Sequence, residues 1–274
     1  MSWSGATAVV TGAGSGIGKA LACAMASRGA NVFVTDVNEQ SAREVAATCG
    51  ARAQARRLDV RDPDAVRAVI EEAATVTGRL DYLFNNAGIA LGGEAQDLVL
   101  GHWERILDVN VRGVVHGVVA AYPMMVKQGR GHIVNVASLA GLGAAPLLAP
   151  YSMTKHAVVG LSTSLRAEGA ALGVRVSVLC PAAIETPILD SENPKDLPNP
   201  TWKPDMRRFL TKIAGPPYPV DELAKDALAG VEKNQAVIVV PGRARLVWRV
   251  SRWFPALAEL GVLDAVASER KHKS

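Results

Sequence analysis

The stretch Ala6-Thr7-Ala8-Val9-Val10-Thr11-Gly12-Ala13-Gly14-Ser15-Gly16-Ile17-Gly18-Lys19, running on into Ala20–Ala26, decides the fold. Its first six residues have the short apolar, partly β-branched composition of a buried strand, and Ala20–Ala26 is rich in helix formers. A glycine cluster alone is a weak signal, because glycines commonly serve turns. Placed between a first strand and a first helix, it lets the backbone approach a pyrophosphate, with helix N-terminal amides directed at the negative charge. Gly12, Ser15, Gly16, Ile17 and Gly18 are therefore candidate cofactor contacts. The next apolar run, Asn31–Asp36, ends on a carboxylate about 20 residues after the glycines, where it can accept hydrogen bonds from an adenosine ribose. A 2′-phosphate would meet a like charge there, and neither Ser15 nor Val37 supplies a cation, so Asp36 predicts NAD rather than NADP. The competing reading of Asp36 is a helix N-cap.

Outward from this unit, strand-type runs recur at Ala53–Asp59, Leu80–Asn85, His132–Ala137, Arg175–Cys180 and Ala236–Val240, with helix-like segments between them. Strands alternating with helices imply right-handed crossovers. The expectation is an α/β fold: one doubly wound Rossmann-type domain with a parallel seven-stranded sheet and helices on both faces. Asp62-Pro63 reads as an N-cap followed by a first-turn proline, and Gly78 and Gly129 read as helix ends. Residues 1–137 form mainly the cofactor half and 138–184 the catalytic part. The periodicity fails between Glu185 and Pro219, a Pro-, Asn- and Asp-rich segment containing Trp202 and Phe209. Because it follows a strand's carboxyl end, it is read as a substrate lid, the alternative being a surface excursion.

The 274 residues, 49% hydrophobic and 20% charged, suit one domain with a sizeable core. A formal charge of +4 is too small for a nucleic-acid footprint. Cys23, Cys49 and Cys180 are widely spaced and read as separate buried side chains rather than a disulfide framework. The histidines show no metal-ligand spacing, so no metal is expected. The start, Met1-Ser2-Trp3-Ser4-Gly5, lacks a basic segment followed by a long apolar one, and no run approaches about 20 uninterrupted apolar residues. A cytoplasmic location is expected, with a homo-oligomer, dimer or tetramer, as a general property of domains this size.

Tyr151 and Lys155 stand four apart in a segment that reads as a helix through Ala167, so both reach toward one region. A phenol is a poor base at neutral pH. A neighbouring ammonium stabilises the phenolate, so the pair reads as an acid–base couple with a lowered tyrosine pKa. Ser138 ends the strand Ile133–Ala137 and can donate to a carbonyl oxygen or accept from an alcohol. In order and spacing, Thr11–Gly18, Asp59-Val60, Asn85-Asn86-Ala87-Gly88, Asn110, Ser138 and Tyr151-Ser152-Met153-Thr154-Lys155 resemble the short-chain dehydrogenase/reductase family, ordinary subgroup, through about Gly242. The resemblance implies an NAD-dependent alcohol dehydrogenase or ketoreductase. It implies that Asp59 and Val60 lie at the adenine, and that Asn86, Ala87 and Gly88 lie beside the cofactor. It further implies that Lys155 holds the nicotinamide ribose, that Asn110 anchors a proton-relay water, and that Pro181, Ile184 and Thr186 border the nicotinamide. Where that family usually has Pro-Gly, this chain has Pro181-Ala182, and a Cβ there predicts a locally different loop.

The run Leu139–Pro150 is apolar and Ile188-Leu189 opens the lid, which favours a hydrophobic alcohol or ketone. The competing use of these leucines is packing. The tail segment Arg243–Phe254 mixes arginines with tryptophans and aliphatics, readable either as an interfacial helix in peripheral contact with a membrane or as a helix packed on protein. Two other classes of function are carried beside the enzyme: an NAD-binding sensor that has lost catalysis, and a membrane- or partner-docking protein.

Overall fold

The computed structural model describes residues 2–194 and 196–273. All seven expected strands form: β1 (Thr7–Thr11), β2 (Asn31–Asp36), β3 (Ala53–Arg57), β4 (Tyr82–Asn85), β5 (Gly131–Val136), β6 (Val174–Pro181) and β7 (Val237–Val240). They pair in parallel in the order β3-β2-β1-β4-β5-β6-β7. The winding reverses between β1 and β4, so the carboxyl ends of these two strands open the crevice in which such sheets bind ligands.

Ten helices accompany the strands among the described residues. They are α1 (Gly16–Ala26), α2 (Glu39–Cys49), α3 (Pro63–Thr77), α4 (Leu100–Leu107), α5 (Gly113–Gln128), α6 (Ala149–Gly169), α7 (Met206–Ala214), α8 (Val220–Glu232), α9 (Gly242–Trp253) and α10 (Pro255–Arg270). Side chains alternate across the sheet with period two. Val10, Val34, Phe84 and Val134 therefore pack under α1, α2 and α8, while Val9, Phe33, Leu83 and Ile133 pack under α3 and α5. The expected helix boundaries hold. Asp62 accepts from the amides of Asp64 and Ala65 with Pro63 in the first turn, and Gly78 and Gly129 close their helices in the left-handed conformation.

Two polar groups punctuate the apolar sheet. Asn85 faces Asn135 in register and donates to it at 2.8 Å, Asn135 donates to Ser162 Oγ at 2.9 Å, and Ser162 donates to the Val158 carbonyl at 2.6 Å. α5 crosses this network at Gly117, where a Cβ would stand 2.1 Å from Asn85 Oδ1. His132 is the second such group. Ser177 spends its proton on the Gln235 carbonyl at 2.6 Å, so His132 Nε2 donates to Ser177 Oγ at 2.9 Å.

Burial pushes the His132 imidazole down from 6.5 to about 3. Below its ordinary value the unfolded chain binds a proton that the folded chain refuses. Stability therefore falls as the pH drops from 6.5 toward about 3, by at most about 1.4 kcal/mol per pH unit from this one group. Denaturant melts of His132→Gln should show a shallower acid slope over that window; equal slopes would place the acid sensitivity elsewhere.

Two expectations need correction. Cys23 and Cys49 are not independent: they form a disulfide, with Cα atoms 4.7 Å apart, and only Cys180 is free and buried. α1 and α2 are successive helices on one face of the sheet, which brings positions 26 residues apart into contact. The segment 185–219 is not wholly irregular, because Met206, Phe209 and Ile213 share one face of α7 and pack with Leu147, Leu148 and Ala265. The helical run Leu100–Gln128 is long and apolar enough to cross a membrane. It lies against α3, α6 and the central strands, as a core helix of this fold does.

Candidate active site

The glycine-rich loop is shaped by what its neighbours leave room for. Gly12 and Gly16 adopt φ of +62° and +52°, conformations that L side chains rarely take. Asn86 ties the loop to the end of β4 by donating from Nδ2 to the carbonyls of Thr11 and Gly12 at 2.8 and 3.0 Å. Thr11 Oγ1 accepts from the amides of Asn86 and Ala87, both at 3.0 Å. α1 then begins behind Ser15, whose side chain caps none of the first-turn amides. Those amides, with the positive end of the helix dipole, are a donor set suited to a diphosphate.

Asp36 accepts from the amides of Gly14 and Asn38 at 2.9 and 3.0 Å. It is not the N-cap of α2, since Asn38 fills that place by accepting from Ser41. Each oxygen of Asp36 accepts one such bond and keeps capacity for another, and Asp36 lines the cleft. Asp59 and Val60 line the same end. Arg61, which the sequence reading did not single out, grips Asp59 at 2.6 Å and holds its carboxyl below the usual range.

At the other end, Tyr151 and Lys155 lie one turn apart on α6, with Lys155 Nζ 5.5 Å from the centre of the Tyr151 ring. Lys155 is buried and donates to the Val136 carbonyl at 2.9 Å, which leaves two N–H groups for other partners. Burial lowers its pKa to about 8. Burial also raises the Tyr151 phenol above its ordinary value, and it is the neighbouring Ser138 hydroxyl that pulls the other way. The lowering by Lys155 expected from the sequence is not seen: burial sets the direction, and Ser138 rather than Lys155 opposes it. Ser138 Oγ accepts from the amide of Ala140 at 3.2 Å and lies 3.5 Å from the Pro181 carbonyl, so it caps a strand end and also faces the cleft.

Asn110 sits in a π-helical turn, Asp108–Arg112, between α4 and α5. Its amide pairs with both the N–H and the carbonyl of Ile89 at 2.9 and 3.0 Å and donates to Thr154 Oγ1 at 3.2 Å. Gly88 separates it from Lys155: a Cβ there would lie 3.2 Å from Asn110 Oδ1 and 3.4 Å from Lys155 Nζ. Asn110 and Lys155 thus border one small space.

Beyond β6, Ala182 donates its amide to Val240 at 2.8 Å and takes no positive φ. The distortion expected from its Cβ is therefore absent, because this loop asks for no glycine conformation. Ile184 and Thr186 line the cleft, and Thr186 faces Gly16 across it, 3.4 Å from where a Cβ on Gly16 would lie. The cleft totals about 1910 Å³. Its wall beyond Tyr151 is apolar, formed by Leu142, Leu148, Leu189, Met206, Phe209 and Val262. Phe209 and Val262 belong to helices the sequence reading missed; the spacing Met206, Phe209, Ile213 was the available signal for the first. Among the described residues no group of three His, Cys, Asp or Glu side chains could hold a metal ion.

This arrangement matches a known family over most of the chain: the profile described as short chain dehydrogenase aligns with residues 6–197. The chain belongs to the short-chain dehydrogenase family. A short chain dehydrogenase/reductase from Burkholderia phymatum, solved in complex with NAD, superposes on this chain with a TM-score of 0.84 at 32% identity, covering 94% of this chain and 96% of that one. Probable oxidoreductase EphD of Mycobacterium tuberculosis is 35% identical over 256 residues. That match takes in 90% of this chain but 43% of the relative, so the chain spans less than half of that protein. Cyclohexanol dehydrogenase of an Acinetobacter species is 36% identical over 187 residues, 66% of this chain and 74% of the relative.

Proposed function

We propose that the protein is an NAD-dependent oxidoreductase interconverting a hydrophobic secondary alcohol and its ketone. The observation that carries this reading is the placement of Ser138, Tyr151 and Lys155 at the junction between a diphosphate-binding helix end and an apolar chamber. Gly12 to Gly18 and the α1 amides would hold the diphosphate, Asp36 the adenosine ribose, and Lys155 the nicotinamide ribose. NAD, when bound, supplies the acceptor for the hydride that leaves the carbinol carbon. The cyclohexanol dehydrogenase relative and the NAD-bound Burkholderia structure support the same assignment.

Within that reading each side chain has a separate task. Ser138 donates to the substrate oxygen and fixes its direction. Tyr151 takes the alcohol proton during oxidation and returns it during reduction. The Lys155 ammonium steadies the phenolate as the proton leaves, and Asn110 with the Ile89 carbonyl offers the polar path by which Lys155 exchanges that proton with water. The wall beyond Tyr151 is mainly apolar, with Lys212 and Glu192 also lining the cleft, and an apolar wall around the reacting carbon favours a hydrophobic body. Residues 185–219, with α7, act as the lid over it.

The test is steady-state turnover with NAD and NADP against a panel of cyclic and long-chain secondary alcohols. NAD-linked oxidation confined to apolar substrates is the expected result; strong binding of NADH with no turnover of any panel member would instead favour a sensor. Asp36→Ala removes the group that accepts from the ribose and repels a 2′-phosphate. It should lower the NAD/NADP preference in kcat/KM by at least about tenfold, the effect of one charge-assisted hydrogen bond. An unchanged ratio would assign the selection to another residue.

A further inference from the structure

The C-terminal hairpin carries an exposed apolar surface that extends beyond the cleft to Trp253, Phe254 and Leu260. Leu246, Val250 and Trp253 form one face of α9; Leu257, Leu260 and Leu263 form one stripe of α10, and Phe254 joins the two helices. These side chains are left in the open: Trp253 is 80% exposed, Leu246 66%, Leu260 64% and Phe254 61%. A contiguous apolar surface of this kind marks an interaction site.

Charge says what the surface meets. Residues 242–273 contain seven Lys and Arg against three Asp and Glu, while the rest of the chain is balanced, so the whole formal excess of +4 resides in this hairpin. Two of the three acids are ion-paired, Asp264 with Lys212 at 2.8 Å and Glu269 with Arg208 at 2.5 Å, and two of the seven cations, Arg270 and Lys273, pair with Glu94 at 2.8 and 2.6 Å. Arg249 and Arg252 stay exposed beside the apolar face. A second copy docked face to face would bring two such arginine clusters together, so self-association through this face is opposed. An anionic bilayer offers both complements: headgroup charge for the arginines and a hydrocarbon boundary for Trp253, Phe254 and the leucines.

The same hairpin continues into the cleft. Leu246, Trp248 and Val250 of α9 and Leu257 and Val262 of α10 line it together with Tyr151. We propose that α9 and α10 dock this protein on anionic membrane surfaces and that the cleft opens toward the bilayer, so that a membrane-dissolved alcohol or ketone enters directly. The second half rests on the oxidoreductase reading; the docking itself does not.

Co-sedimentation without cofactor or substrate separates the two. The full chain should pellet with phosphatidylglycerol–phosphatidylcholine vesicles, remain in solution with pure phosphatidylcholine, and be released by raised salt. Trp253→Ser with Phe254→Ser should weaken vesicle binding by at least about tenfold. Arg249→Gln should weaken it roughly fivefold, the share of one cation at an anionic surface. Both variants should keep the wild-type melting transition and the wild-type turnover of a short water-soluble alcohol. A chain that stays in the supernatant with anionic vesicles overturns the proposal. So does a wild-type dimer that the Trp253/Phe254 double variant converts to monomer with no vesicle binding at all, for then a second copy covers the face.

Discussion

Tyr151→Phe is expected to lower kcat/KM for both directions by about 10²–10⁴, the contribution of a positioned general acid–base, while NADH binding and the melting temperature stay at wild-type values. The phenol oxygen is the only atom removed, and the ring keeps its packing with Leu148 and Phe209. The pH profile adds a sign. Burial holds the phenol above its ordinary value, so the form that accepts a proton grows steadily as the pH rises through neutrality. Alcohol oxidation should therefore climb with pH, and ketone reduction, which needs the protonated phenol, should not. Lys155, lowered to about 8, loses its charge on the alkaline side. Above that point the cation that steadies the phenolate disappears, so the climb of oxidation should level off and reduction should decline. Residual turnover in Tyr151→Phe within threefold of wild type, a small loss beside the expected one, would remove Tyr151 from the reaction.

The second large effect is at Gly18. A Cβ there would lie 2.3 Å from the Gly12 carbonyl oxygen and 2.5 Å from Asn86 Nδ2, the two groups whose hydrogen bond ties the glycine-rich loop to β4. The Gly12 carbonyl cannot yield without displacing backbone, and Asn86 can yield only by releasing the loop. Gly18→Ala should cost about 1–3 kcal/mol of stability, the range for overpacking. It should also raise the Kd for NADH by more than tenfold, about 1.4 kcal/mol, because the amides that meet the diphosphate move with the loop. Gly160→Ala is the control. It lies in α6 with nothing within 4 Å of its Cβ position, so it should stabilise by roughly 0.5–1 kcal/mol through helix propensity. Thermal melts and NADH fluorescence titration read both; an unaffected Gly18→Ala would mean the loop holds the diphosphate by other atoms.

What the sequence made legible was local in character. Seven strands followed from composition and spacing, and the proximity of Tyr151 to Lys155 followed from a separation of four on one helix. Asp36 was recognisable because it ends β2, one strand from the glycines. What escaped depended on distant contacts. Cys23 and Cys49 meet only because α1 and α2 share a face, and Arg61 gains meaning only beside Asp59. The apolar partners of Phe209 lie far along the chain in Leu147 and Ala265, so a nine-residue helix bounded by prolines looked like loop. Ala182 was a different failure: a family habit of glycine was taken for a conformational need that the loop, hydrogen-bonded to β7, does not have.

The amide pair Asn85 and Asn135 reaches further than its own hydrogen bond. Were β4 to slide one residue past β5, Asn85 Nδ2 and Asn135 Oδ1 would lose each other, at about 1–3 kcal/mol for each buried group left unpaired, while Asn135 kept only its bond to Ser162; the valines around them would tolerate the change far better. The pair therefore works as a vernier for the centre of the sheet. Asn86 and Ser138 follow these two asparagines by one and three residues, so the setting of the vernier is also the setting of the cofactor-side amide against the catalytic hydroxyl. Two buried polar side chains that touch neither cofactor nor substrate thus act as the alignment mark for the groups that do.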